Sequence, residues 1–377
     1  MKCRTIGFTV AAITSVFSVG VIRGNVAYQI QSLSVPSAQF VDVNDINNAG
    51  VLTGTASWGD GTKSWIVMQV GMSPVVVNFL PGDTEGNWNS VNSSNVMVGS
   101  SGRYPPSPPN TIPGILESHA FVWNFAGGMQ ALSTPGGWDS GASSINNQGQ
   151  IVGEISSQNH TVPALQQAVM WDSQGNMTTL GSYQYAKLIN NRGQIIVGDQ
   201  ANEYLLTPGS APVLLKGLSG WDVTTTALTD AGIMVGWSRD TTTYECHAFL
   251  TATGTNAIDL TPGTGINSNA TAVNDLGQVI GYVYSDNPSP YPDGGFLYED
   301  GHLSNLLSLG GDSALGWSSL APTAINDHGW IIGTGFFNGQ LQSFLMTPRT
   351  ASAAPEPATL TLLGMGLGGL LAIRRRN

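Results

Sequence analysis

One nine-residue phrase, apolar-Asn-x-x-Gly-x-apolar-x-Gly, returns seven times along this chain, and few folds can absorb such repetition. Its fullest copy is Ile145-Asn146-Asn147-Gln148-Gly149-Gln150-Ile151-Val152-Gly153. Counted at the first Asn slot, the copies fall at Asn47, Asn92, Asn146, Asn190, Thr229, Asn274 and Asn326, with spacings of 45, 54, 44, 39, 45 and 52. Two copies are degenerate: Asn95 replaces the glycine of the second, and Thr229 the first Asn of the fifth. A period of 40–50 residues means a solenoid, a propeller or an array, and not independent domains.

The phrase describes a hairpin. Asn or Asp opening a type I turn bonds back to the backbone, and Gly in the fourth position accepts positive φ. Asn95 fits the same logic, because Asn tolerates the left-handed region best after Gly. Some 10–20 residues on comes a second apolar run, such as Trp65-Ile66-Val67-Met68 or Ala168-Val169-Met170-Trp171, and a further short strand follows a Gly-containing turn. Each unit therefore reads as four short strands, A to D. Four-stranded units of this length in tandem imply an all-β, seven-bladed β-propeller. The last unit ends after its third strand, near Phe344–Met346, and an unassigned strand, Tyr28–Ser34, precedes the first phrase. That N-terminal strand supplies the missing member of the last blade and closes the ring. A β-solenoid is the competing architecture; its coils would be shorter and more uniform.

The segments His119-Ala120-Phe121 and His247-Ala248-Phe249, taken with the Asn-x-x-Gly phrase, resemble the HAF repeats of bacterial extracellular proteins. The resemblance covers roughly residues 28–348 and implies a repeat type, not an activity.

Composition narrows the class. Only 10% of residues are charged, against about a quarter in typical domains, and 48 of 377 are glycine. Residues 28–355 hold seven cations and 23 acids. So few cations cannot build a nucleic-acid face. An acidic, hydroxyl-rich surface repels anionic polymers, which favours neutral polysaccharide or an envelope protein as partner.

The two ends read as addresses. Lys2 and Arg4 precede an apolar run, Ile6–Ile22, and a small residue, Ala27, in the order of a secretory signal peptide over 1–27. The propeller follows over 28–349 and a linker over 350–354. Then come Pro355-Glu356-Pro357, an apolar segment over 358–373, and Arg374-Arg375-Arg376. Sixteen apolar residues broken by glycines are short for a membrane span, which needs about 20, and the arginines suit a cytoplasmic stop. This three-part tail closely resembles the PEP-CTERM sorting signal of Gram-negative bacteria. The resemblance implies export, a hydrophobic helix held in the inner membrane, processing there by an exosortase, and an association with exopolysaccharide and biofilm. With Cys3 in the leader, Cys246 is left without an intrachain partner.

Candidate binding residues come from the stretches between strands D and A, where Trp88, Trp138, Trp221 and Trp317 recur, with Asp139 and Asp222 directly after two of them. Tyr183 and Tyr185 fill the matching stretch of the fourth unit. Strand order places these opposite the tight turns, on the side of the Pro-rich insertions within 101–117 and 285–294. Indole rings beside carboxylates can stack on sugars and accept their hydroxyls; the alternative is that each Trp wedges between blades as packing. The five histidines show no i,i+4 pair and no cysteine cluster, so no metal or other cofactor is expected. No nucleophile elbow, phosphate loop or dinucleotide fingerprint occurs. The chain reads as a non-enzymatic structural or interaction protein; a glycan-binding propeller comes second, and a polysaccharide-processing enzyme ranks behind both.

Overall fold

The computed structural model describes residues 28–103, 117–157, 165–252, 255–262, 267–284 and 293–349. The expected leader, the linker, the sorting tail with its apolar segment, and most of both Pro-rich insertions lie outside them. The described residues form 28 strands in seven four-stranded antiparallel sheets. The innermost strands are Phe40–Ile46, Glu85–Val91, Trp138–Ile145, Tyr185–Ile189, Asp222–Leu228, Asn267–Val273 and Trp317–Ile325. They touch in cyclic order, the first against the last, so the blades make a closed seven-bladed propeller.

Closure takes the form expected from the strand count. The N-terminal strand, Tyr28–Leu33, pairs antiparallel with Gln340–Pro348 as the outer strand of blade 7. Tyr28 and Ile30 are buried there with Trp317, Phe344 and Met346. Burial and the nearby Glu299 push the Tyr28 phenol up to about 12.

Every innermost strand carries one bulge at the same place, for instance between Ala142 and Ser144. The bulge pushes a carbonyl at the second strand, where only glycine fits: a Cβ on Gly153 would sit 1.9 Å from the Gly141 oxygen. This explains the last glycine of the phrase. Blade 4 departs from it, with Val197 facing Ala186 where other blades place glycine.

The tight turns do more than reverse the chain. In blade 3, Asn146 accepts the N–H groups of Gln148 and Gln150 on its Oδ1, at 3.1 and 3.0 Å. That is the hairpin chemistry read from the sequence. Its Nδ2 reaches into the next blade and donates to the Asn190 carbonyl at 3.2 Å. The same link runs from Asn47 to the Asn92 carbonyl, Asn92 to Asn146, Asn190 to Thr229, Asn274 to Asn326 and Asn326 to Asn47. A second ring runs beside it through the next residue of each turn. Ser93 N–H donates to Asn147 Oδ1, and the series continues through Asn191, Asp230, Asp275, Asp327 and Asn48.

Each ring lacks one link, at a different junction. Thr229 has no amide to give, so between the tight turns of blades 5 and 6 only the link of the second ring remains, from the Asp230 N–H to Asp275 Oδ1. Between blades 1 and 2 the second ring has Ser93 for an acceptor, and Asn47 there donates additionally to Asn95 Oδ1 at 2.7 Å. Asn95 itself sits at φ 58° in the glycine slot, as expected. Replacing Thr229→Asn should complete the first ring. One added buried hydrogen bond is worth about 1 kcal/mol, a rise of about 2 °C in melting temperature for a chain of this size. Calorimetry showing no rise would mean the turns do not set the blade junction.

Candidate functional site

The innermost strands start on the side opposite the tight turns, and the candidate residues lie at or near those starts. Trp88, Trp138, Asp139, Asp222 and Trp317 lie within strands, Trp221 lies in the connection just before one, and they are not equivalent. Trp138 and Trp221 each stand eight residues before the Asn slot of their unit, at Asn146 and Thr229, and each is followed by an aspartate. Trp88 stands only four before Asn92, in the middle of its strand. It is 2% exposed and enclosed by Trp65, Phe121 and Trp123, with ring centroids 5.0, 5.2 and 6.1 Å away. Trp317 is also buried, 5.1 Å from Phe337 and 5.9 Å from Phe344. Neither ring offers a free face, so Trp88 and Trp317 are packing residues and leave the proposed ligand set.

The remaining four residues are accessible. Trp138 and Trp221 are half-buried, at blades 3 and 5. Asp139 Oδ1 accepts the Ser118 N–H at 3.1 Å, which fixes the carboxylate beside its indole. Asp222 is exposed and meets the Arg239 guanidinium at 3.1 Å. Trp221 stands edge-on to His247, whose Nδ1 is 2.8 Å from Asp259 Oδ2. That hydrogen bond raises the His247 pKa above the ordinary value, against the effect of burial. In blade 2 His119 Nδ1 lies 3.3 Å from Asp83, an aspartate of the segment before the blade and not of its outer strand, so the repeated histidine meets a different partner in each unit.

Blade 4 places Tyr185 between these two Trp–Asp pairs. Burial first, then the charges of Glu203, Asp199 and Glu154, push its phenol up to about 12, so it stays protonated and can donate. Burial also raises the Glu154 carboxyl. Glu203 is buried, pairs with Lys187, and accepts the Thr225 N–H of blade 5 at 2.8 Å. The arc over blades 3 to 5 thus combines two half-open indoles, anchored carboxylates and a phenol donor. Such a set can stack on an apolar ring face and exchange hydrogen bonds with hydroxyls. Among the described residues no group of three or more His, Cys, Asp or Glu could hold a metal ion.

Glu154, Lys187 and Glu203 were not singled out from the sequence, although a signal for Lys187 exists. The residue three before the Asn slot is polar in all seven units: Asn44, Asn89, Ser143, Lys187, Thr226, Thr271 and Thr323. These are the residues that the strand bulges leave unpaired. Several reach the next blade, as when Asn89 donates to the Ala142 carbonyl at 2.8 Å and Thr226 to that of Ala270 at 2.8 Å. At the very next position, Asp45 accepts the Val91 N–H of blade 2 at 2.9 Å, and burial pushes its carboxyl up to about 6.

Comparison with known proteins bears on the two parts of the chain separately. Residues 353–376 match the PEP-CTERM protein-sorting motif. The motif marks an exported protein that is sorted by an exosortase, a membrane enzyme. No helix among the described residues is long and apolar enough to cross a membrane, and the tail itself lies outside them. No curated protein matches the chain. The β-propeller domain of the Trilobed protease from Pyrococcus furiosus shares the fold, with a TM-score of 0.54 at 7% identity over 84% of this chain and all of that one. It is described as an open velcro topology, whereas here the N-terminal strand closes the ring. YCF48 bound to D1 peptide superposes with a TM-score of 0.51, at 10% identity, over 88% of this chain and all of that one. A puromycin-hydrolyzing peptidase from Mycobacterium tuberculosis gives 0.53 at 9% identity, over 90% of this chain but only 58% of its own length. Identities this low speak for the fold alone.

Proposed function

We propose that this chain is an exosortase-sorted propeller of the cell envelope or extracellular matrix, and that it works by binding rather than by catalysis. The observation that carries this is a closed seven-bladed ring followed by a PEP-CTERM motif at 353–376. A propeller of this kind presents loops on a rigid frame, which suits recognition. The repeat is of HAF type on this reading, and the setting is exopolysaccharide or biofilm. Acids outnumber cations by 23 to seven over 28–355, which supports a neutral polysaccharide or an envelope protein as the partner.

Sorting has a direct test. Deleting residues 355–377 should move the propeller from the membrane fraction into the medium, read by fractionation and immunoblot. A truncated chain that stays with the cells as the parent does would refute retention by the tail.

The paired Trp138–Asp139 and Trp221–Asp222 favour a second, narrower reading, in which the arc over blades 3 to 5 binds glycan. Trp138→Ala and Trp221→Ala should each weaken binding to an array of neutral polysaccharides by about 1–3 kcal/mol, the scale of base–aromatic stacking in nucleic-acid sites. Melting temperatures should change little. Unchanged affinity, or a loss of stability as large as for a core tryptophan, would return both residues to packing.

A further inference from the structure

Blade 4 is the smallest unit, and its neighbour does not fill the gap this leaves. Its strands are Tyr185–Ile189, Ile195–Gly198, Glu203–Leu206 and an outer strand of only two residues, Val213–Leu214. The buried cluster formed with blade 5 is Ile196, Leu205 and Met234. The junction of blades 1 and 2 holds Trp65, Trp88, Phe121 and Trp123 instead. What remains between blades 4 and 5 is a cleft of about 540 Å³, within the range of ordinary small-molecule sites.

Its walls combine three features. Leu205, Leu215, Met234 and Phe249 supply an apolar interior. Thr225, also in the wall, is 1% exposed, and its Oγ1 has no hydrogen-bond partner. A buried hydroxyl left unpaired costs about 1–3 kcal/mol and marks a place where a polar atom is missing. The third feature is Lys216, exposed at the cleft and without an acidic partner among the described residues. Among the described residues that line the cleft, Lys216 is the one that carries a charge.

We propose that this cleft binds a small amphipathic carboxylate, with its apolar acyl or aryl body between blades 4 and 5 and its carboxylate on Lys216. The Thr225 hydroxyl supplies a further hydrogen bond to the bound molecule. The cleft borders the Trp–Asp arc, since Gly220 and Val223 of its wall flank Trp221 and Asp222, but neither pair lines it and the proposal does not depend on glycan binding there.

The test uses the purified full-length chain and three soluble probes that share one body: 4-phenylbutyrate, 4-phenylbutanol and 4-phenylbutylamine. Titration calorimetry should show the carboxylate binding tightest and the amine weakest. Lys216→Gln should lower phenylbutyrate affinity about tenfold, or about 1.4 kcal/mol, and bring it level with the alcohol. Leu215→Trp, on the half-buried rim, should abolish binding of all three. Thr225→Val should weaken phenylbutyrate at an unchanged or higher melting temperature. An amine that binds as tightly as the carboxylate, binding that survives Leu215→Trp, or no binding to the parent overturns the proposal. Full affinity in Thr225→Val overturns the part given to the hydroxyl.

Discussion

Removing residues 28–33 should cost the propeller most of its stability, more than about 5 kcal/mol where whole domains have 5–15. Six residues in a surface loop would cost far less. The difference lies in what this strand covers. Tyr28 and Ile30 are 2% and 6% exposed, packed on Trp317, Phe344 and Met346, and deleting them uncovers that cluster. Losing one large buried side chain alone costs about 2–5 kcal/mol. The deletion also strips the pairing from Ser343–Pro348 and opens the outer edge of the strand Gln340–Pro348, a template for aggregation. Calorimetry and light scattering on the shortened chain give the answer. A melting temperature equal to the parent's would show that the ring does not depend on its N-terminal strand.

The second large effect is expected from Trp88→Ala, at about 3–5 kcal/mol, as for other tryptophans emptied from a core. The indole is enclosed by three aromatic residues, so no neighbouring side chain can collapse into the space without moving a ring. Trp88→Phe makes the informative control. The Trp88 Nε1 is buried without a partner, so Phe removes an unpaired donor along with some volume. Its cost should stay below about 1.5 kcal/mol. Denaturant unfolding of the two variants distinguishes the outcomes. A Trp88→Ala protein as stable as the parent would remove Trp88 from the core and reopen its role at the surface.

The tryptophans show how far linear spacing reaches. Four tryptophans recur near the start of a unit, and they look like one slot. Measured to the Asn of the turn, Trp138 and Trp221 coincide, while Trp88 is half a strand further in. An even offset keeps a side chain on the same sheet face but changes depth, and deeper in its strand Trp88 meets Trp65 of blade 1 and Phe121 and Trp123 of its own blade. Trp317 is brought to the Trp138 level by an extra bulge after it, which nothing in its local sequence announces, yet Phe337 and Phe344 bury it there, so neighbouring rings count as well as depth.

By itself the sequence determined the seven units, the strand count, the tight turns and the ring closure, because each rests on local chemistry repeated often enough to read. Asn opening a turn, Gly or Asn95 at positive φ, an extra strand ahead of the first unit and a missing one in the last are all local facts. The sequence also carries the sorting motif, a linear signal that needs no fold. Tertiary structure alone decided the rest. The Nδ2 of Asn146, Asn190 and Asn274 also meets a glutamine of its own hairpin, but the carbonyl of the next blade comes within reach only when the ring is closed. Glu203 reaching Thr225, the half-open indoles beside Tyr185, and the cleft left by the short fourth blade arise between units. Contacts between blades depend on how seven unequal repeats share one circumference, and no single repeat contains that information.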